Sequence, residues 1–493
     1  MIRPTKAGRI LRSALASALA LTATSVLGGG CLDRPVAPSA PKVSARVVER
    51  AKQNKITKID LLFMIDNSSS MADKQALLAK AVPDLVNRLI NPVCVDPKTF
   101  VKVGDPRPDG SCARGERDFE PVRDIHIGII SSSLGGHGAD IIGSPKVCDD
   151  ETDRQRMRSD PHNNDRGHLI ARGTNGAAVT TFQGKGFLNW NPAPGSGGAA
   201  TAADIVTPFA TMVSGVGQHG CGYEASLESI YRFLVDPNPP EKIDVVPDPN
   251  SLGLASLVGT DTALLKQRAD FLRPDSLVAI IAVTDENDCS IIDNGQNFYA
   301  ILPPANNQSV LGHGTSACKD NPNDPCCYNC GQPTPAGCPD KTKDPECTAG
   351  RFTKAEDPEN LRCYNQKQRY GIDFLYPVQR YIDGFSLAEL PTATGTIKNP
   401  LFSDLQCVDG KGCAVARDKS LVFVAGIVGV PWQDIAVDPK DLGKGYKTAK
   451  QITDDNTWEK ILGRPNTGTN AKPVPPTDKH MIESVDPRAG LMG

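Results

Sequence analysis

The sequence predicts an α/β fold: a doubly wound, mostly parallel sheet flanked by helices, with disulfide-rich loop insertions. Three observations carry this. Segments 58–66, 123–132, 275–285 and 419–430 are apolar along nearly their whole length, as strands covered on both faces are. Segments with apolar side chains at helical spacing lie between them. All 15 cysteines, among 45 Gly and 40 Pro, fall outside those four segments, so long stapled loops surround the core.

The 493 residues allow one large domain or two to three ordinary ones. With 23% charged residues and a net charge of −3, the chain lacks the basic excess of a nucleic-acid-binding surface, and no nucleic-acid partner is expected.

Residues 1–30 have the pattern of an export leader. Arg3, Lys6, Arg9 and Arg12 form a basic head, and the apolar run 14–27 is too short and too rich in Ala, Ser and Thr for a membrane span. It closes on "LGGGC", ending at Cys31. This resembles a bacterial lipoprotein signal, except that Leu27 stands one place early, with Gly28 at the usual leucine position. The resemblance implies cleavage before Cys31, lipidation of Cys31, and a membrane-anchored place in the cell envelope, on the periplasmic or surface face of the outer membrane. A lipidated Cys31 leaves an even number of cysteines for disulfides. No later segment is long and apolar enough to span a membrane.

Residues 31–56, rich in Pro, Ala, Lys and Arg, form a tether, and 57–430 the α/β domain. "KIDLLFMID" (58–66) is the first strand. The helix 72–90 follows, with Leu77, Leu78, Val82, Leu85, Val86 and Leu89 at helical spacing and a kink expected at Pro83. Residues 91–121 are a polar insertion stapled by Cys94 and Cys112, which are close enough in sequence to pair locally. After the strand 123–132, the insertion 133–200 has one apolar knot at 186–190 and two histidines, His162 and His168, expected at the surface. Helices are expected at 201–213 and 222–235, then the strand 275–285. Residues 312–363 hold seven cysteines and are expected to be a disulfide-held excursion without a core. A helix over 368–385 and a buried strand over 419–430 complete the domain. Cys407 and Cys413 are a second local pair. Pairing of Cys148, Cys318, Cys326, Cys327, Cys330, Cys338, Cys347 and Cys363 stays open. Residues 431–493 are a polar, Pro-rich extension with one helical turn at 457–462.

"DNSSSM" (66–71) sits where a buried strand runs into a helix. One reading is helix capping, with Ser70 as N-cap and Asp73 as its acidic partner. The other is a hard-cation site. Residues i, i+2 and i+4 of an extended loop point the same way, so Asp66, Ser68 and Ser70 present a carboxylate and two hydroxyls to one point. Mg²⁺ takes such oxygen ligands, keeps several waters and uses one or two carboxylates. Asp285 ends another apolar strand, and ligands of open α/β sheets sit at strand carboxyl ends.

On these residues, 57–430 resembles the von Willebrand factor A-type domain with its metal-ion-dependent adhesion site. The resemblance implies Mg²⁺ (or Mn²⁺) held by Asp66, Ser68, Ser70 and Asp285, with the last place filled by an acidic side chain of a protein partner. The family's further Thr ligand has no counterpart in "GQHGCGYEASLESI" (217–230), where Cys221 or Gly222 stands. Glu224 or a water takes that role, and Glu286 is the neighbouring candidate. The resemblance also implies a Cys221–Cys289 disulfide joining two loops at the rim. "DENDC" (285–289) is either a second cation loop or a solvated one. Cys327 and Cys330 fit a disulfide better than half a zinc site.

The expected function is a lipid-anchored binding or adhesion module, not an enzyme. The alternatives are a structural envelope protein with a vestigial metal site, and a hydrolase using Ser68 with His219 as its base. No G-x-S-x-G, H-E-x-x-H or phosphate-binding Gly loop is present.

Overall fold

The computed structural model describes residues 57–99, 101–142, 164–249, 251–407, 413, 417–464 and 474–482. The leader, Cys31, the tether up to residue 56, Cys148, His162 and the last residues of the extension lie outside them.

A five-stranded mixed sheet forms the centre. In chain order its strands are β1 (Lys58–Ile65), β2 (Asp124–Ser131), β3 (Leu188–Trp190), β4 (Leu277–Val283) and β5 (Val422–Ile427), and in space they run β5-β4-β1-β2-β3. β1 pairs in parallel with β2 and β4, β5 in parallel with β4, and only β3 is antiparallel. The chain therefore builds one way from β1 to β3 and then resumes on the other side of β1 with β4. That reversal leaves a crevice at the carboxyl ends of β1 and β4.

Continuous apolar strands are explained by cover on both faces. Alternate residues Leu61, Phe63 and Ile65 of β1 face helices α1 (Ala72–Ile90) and α2 (Ala202–Gly215), through Val82, Val86, Phe209 and Met212. Leu62 and Met64 face α3 (Ser226–Leu234) and α4 (Thr262–Phe271), through Ile230, Phe233, Leu264 and Phe271. Pro83 is accommodated within α1.

Three expectations need correction. The helix expected over 368–385 is two helices, Gln366–Tyr370 and α5 (Val378–Ser386): Gly371 takes a positive φ that ends the first, and Pro377 caps the second. β5 is not buried: Phe423 is 56% and Val424 51% exposed, so both faces of this edge strand are open. Apolar content alone does not separate an edge strand from a central one. The Cys-rich excursion is tied to a core that flanking segments build: its Phe352 packs with Ile291, Phe298, Leu311, Tyr370 and Phe374. Within it the buried Asp357 accepts from Arg362 (3.0 Å), Arg369 (2.9 Å) and the Tyr370 hydroxyl (2.6 Å).

Cys94–Cys112 and Cys407–Cys413 pair locally, and Cys318–Cys327, Cys326–Cys338 and Cys330–Cys347 staple the excursion. Cys327 and Cys330 are therefore in different disulfides. Cys289 pairs with Cys363, not with Cys221. Cys289 and Cys363 pack in one core with Phe298 and Phe374, whereas Cys221, in another disulfide, is held at its backbone by the loop after β2, its N–H donating to Ser133 Oγ at 2.9 Å. Among the described residues no helix is long and apolar enough to cross a membrane.

Candidate metal centre

β1 delivers Asp66 to the crevice, and the Asp66 N–H donates to Val283 O of β4 at 2.9 Å, locking the two strand ends together. Gln75, on the first turns of α1, donates to Asp66 O (2.9 Å) and Gly217 O (2.8 Å), tying in the loop before α3. The buried Asp66 carboxylate accepts from Ser68 N–H (2.8 Å) at Oδ1 and from Thr284 Oγ (2.7 Å) at Oδ2.

The hydroxyls continue the chain of contacts. Ser68 Oγ lies 2.9 Å from Ser70 Oγ, and Ser70 Oγ donates to Asp285 Oδ1 at 2.9 Å. Neither serine caps α1. The helix starts after Met71 with no side-chain cap bond, and Ser68 precedes a short 3₁₀ turn, again without one. The capping interpretation therefore does not explain why hydroxyls stand here.

Glu224 and Glu286 join the same cluster. Burial raises the Glu224 pKa above the usual carboxylate value, and the charges of Glu286 and Asp66 push it further up. Glu286 is also raised, first by partial burial and then by Asp66. Burial raises Asp66 too, against the hydrogen bonds from Ser68 and Thr284. The opposing cation is Lys74, whose Nζ is 3.2 Å from Asp285 Oδ2 and 2.9 Å from Asp73. Of the four carboxyl groups only Asp285 pairs with an ammonium among the described residues, and that one is shared outward with Asp73.

The donor chemistry fits a hard divalent cation: carboxylate and hydroxyl oxygens, no sulfur, no imidazole. Among the described residues no three His, Cys, Asp or Glu groups already stand together at metal-binding distance. The candidate set is mixed, two serines with carboxylates whose charges push them apart. Asp66, Ser68, Ser70, Asp285, Glu224 and Glu286 are all brought to this crevice. Cys289 leaves it for the excursion. His219 lines the groove beside the site, but Ser68 Oγ bonds Ser70 and not an imidazole, so no serine–histidine pair forms. Sequence reasoning missed Thr284, Gln75 and Lys74. Thr284 sits one residue before Asp285 and was readable as a second hydroxyl at that strand end.

A groove of about 1650 Å³ runs from these residues along the open edge of β5 to the C-terminal extension, where Val424, Val428, Trp432, Trp458, Leu462 and Ile482 form an apolar wall. No protein-family model, no curated protein and no solved structure matches the chain.

Proposed function

We propose that the protein is an exported, lipid-anchored binding module of the von Willebrand factor A type, which engages a partner protein through a divalent cation. Asp66, Ser68, Ser70 and Asp285 would hold Mg²⁺ or Mn²⁺, with Glu224 in the place of the family's Thr and Glu286 beside it. The observation that carries this is the Asp66–Ser68–Ser70–Asp285 chain, which links the carboxyl ends of two neighbouring parallel strands where the sheet reverses its order. The strand order, with an antiparallel edge, supports the same family. When bound, the cation offers a coordination place to an acidic side chain of the partner. The apolar groove beside it suits hydrophobic residues flanking that acid.

Calorimetry with Mg²⁺ and Mn²⁺ on the wild type and on Asp66→Ala tests the site. Binding at millimolar metal is expected for the wild type and not for Asp66→Ala, whose strand core at 59–65 is untouched. Equal binding by both proteins places the metal elsewhere. One observation favours the second reading, a structural protein with a vestigial site: Lys74 already supplies a cation to Asp285. A partner pull-down run with Mg²⁺ and with chelator separates the two, because the vestigial site makes capture indifferent to metal.

A further inference from the structure

The Gly-rich loop after β2, Gly135-Gly136-His137-Gly138, forms one wall of a second, separate pocket of about 230 Å³. That is below the roughly 300–1,000 Å³ of sites for drug-sized ligands, so its ligand is small. His137 takes a left-handed backbone (φ 51°) between Gly135 (φ 91°) and Gly138 (φ 107°), which turns its ring inward. The ring is 1% exposed, and its Nδ1–H donates to Asp293 Oδ1 at 2.5 Å. With the ring neutral, this contact fixes the tautomer and leaves Nε2 as an acceptor. Nε2 is buried without a hydrogen-bond partner.

Arg232 of α3, 4% exposed, lines the same pocket and pairs with the other oxygen of Asp293, yet its Nε–H is buried and unpaired. Asn164 Oδ1 is a third buried orphan in the wall. Arg166 stands exposed at the rim. Lys242 is engaged by Asp244 at 3.1 Å, and Glu241, the one acid of the lining among the described residues, holds its carboxylate against Gly259. Buried polar groups in a folded protein are almost always paired, so three orphans around one cavity mark groups arranged for a ligand. The ligand must accept hydrogen bonds from two arginines and donate to an imidazole and an amide oxygen. The lining includes no Ser, Thr or Cys among the described residues, so no side-chain nucleophile accompanies the His137–Asp293 pair.

We propose that this pocket binds a phosphate group that retains a proton, as inorganic phosphate or the head of a small phosphate monoester. Arg232 and Arg166 donate to the charged oxygens, and the P–OH donates to His137 Nε2; dihydrogen phosphate has a second P–OH for Asn164 Oδ1. Sulfate has the same shape and size but no proton to give at neutral pH, so the orphan acceptors discriminate against it.

The test is calorimetry on the full chain with chelator present, which keeps the candidate metal centre out of the measurement. The probes, at about pH 6 where about half of a phosphate monoester keeps its proton, are inorganic phosphate, glycerol 2-phosphate and sulfate. Saturable binding of phosphate or the monoester is expected, the tighter of the two naming the source, with sulfate about tenfold weaker or more. Arg166→Ala, an exposed change that leaves the fold alone, should weaken phosphate about tenfold. His137→Asn, chosen because Asn tolerates the left-handed backbone, should abolish the preference over sulfate. Absence of phosphate and monoester binding at millimolar concentration overturns the proposal. So does equal binding of phosphate and sulfate, or a phosphate affinity unchanged by Arg166→Ala.

Discussion

Two loops at the same end of one sheet are built on opposite terms. The crevice after β1 and β4 is rich in hydrogen bonds and poor in charge balance: its hydroxyls and Asp66 are all partnered, but of its four carboxyl groups only Asp285 pairs with a lysine among the described residues. The pocket after β2 is the reverse. Asp293 lies between His137 and Arg232 with its charge compensated, while His137 Nε2 and Arg232 Nε find no partner. A site short of positive charge calls for a cation, and a site short of hydrogen-bond partners calls for a ligand with directed donors and acceptors. Neither feature helps the fold, since unpaired polar atoms and crowded like charges both cost stability.

The comparison is broken most directly by deleting a charge from each side. Asp293→Ala leaves Arg232 buried without its counter-ion, and breaking such a pair costs about 3–5 kcal/mol. Urea unfolding should show that loss. Asp285→Ala, at the crowded crevice, should move the midpoint little or upward. Equal losses at both sites would mean that the carboxylates of the crevice are as well compensated as Asp293.

Acid should act with opposite sign on Glu224 of the crevice and on a histidine buried near the start of β2. His126 of β2 is buried against Phe187, donates Nδ1–H to Phe271 O at 2.8 Å, and has its pKa pushed down to about 4 by burial and by Arg273. Between pH 6.5 and 4 the unfolded chain takes up a proton at this histidine and the folded chain does not. Stability held above pH 6.5 is therefore lost on acidification, by about 3 kcal/mol. Glu224, whose pKa is raised, works the other way: it favours the folded state at low pH and loses that contribution as pH rises through its folded value. His126→Asn, which keeps a donor for Phe271 O, should flatten the acid limb of a stability–pH curve. Coincident curves would assign acid sensitivity to another group.

What was readable in the sequence follows from the same contrast. β1 and α1 are continuous patterns of one period each, and the helix spans the expected 72–90. Asp66, Ser68 and Ser70 are neighbours at spacing two, so their convergence is local geometry. The phosphate pocket has no such signature. His137 and Asp293 are 156 positions apart, with Arg232 from a third segment, and the loop that turns the ring inward carries no apolar period. The Cys289–Cys363 link was hidden for the same reason, since it depends on which way a loop faces once the excursion has packed. The exposure of β5 was hidden because apolar runs report strand character, not what lies beside the strand.

The smallest expected effect gives the finest test. Glu286→Gln keeps the side chain's length and a side-chain oxygen, and removes a negative charge from the crevice. Glu286 is exposed to solvent, so its repulsion of Asp66 and Asp285 is screened and amounts to a few tenths to about 1 kcal/mol. Without metal, the variant should therefore unfold at slightly higher urea or temperature than the wild type. With Mg²⁺ present the order should reverse, because the charge that is unfavourable alone is the one that draws the cation in, and stabilisation by a bound ligand grows with its affinity. Added salt should shrink both differences. A variant less stable than the wild type in chelator would show that Glu286 is held by its hydrogen bonds rather than strained by its neighbours, and the contrast between the two loops would fail at the crevice.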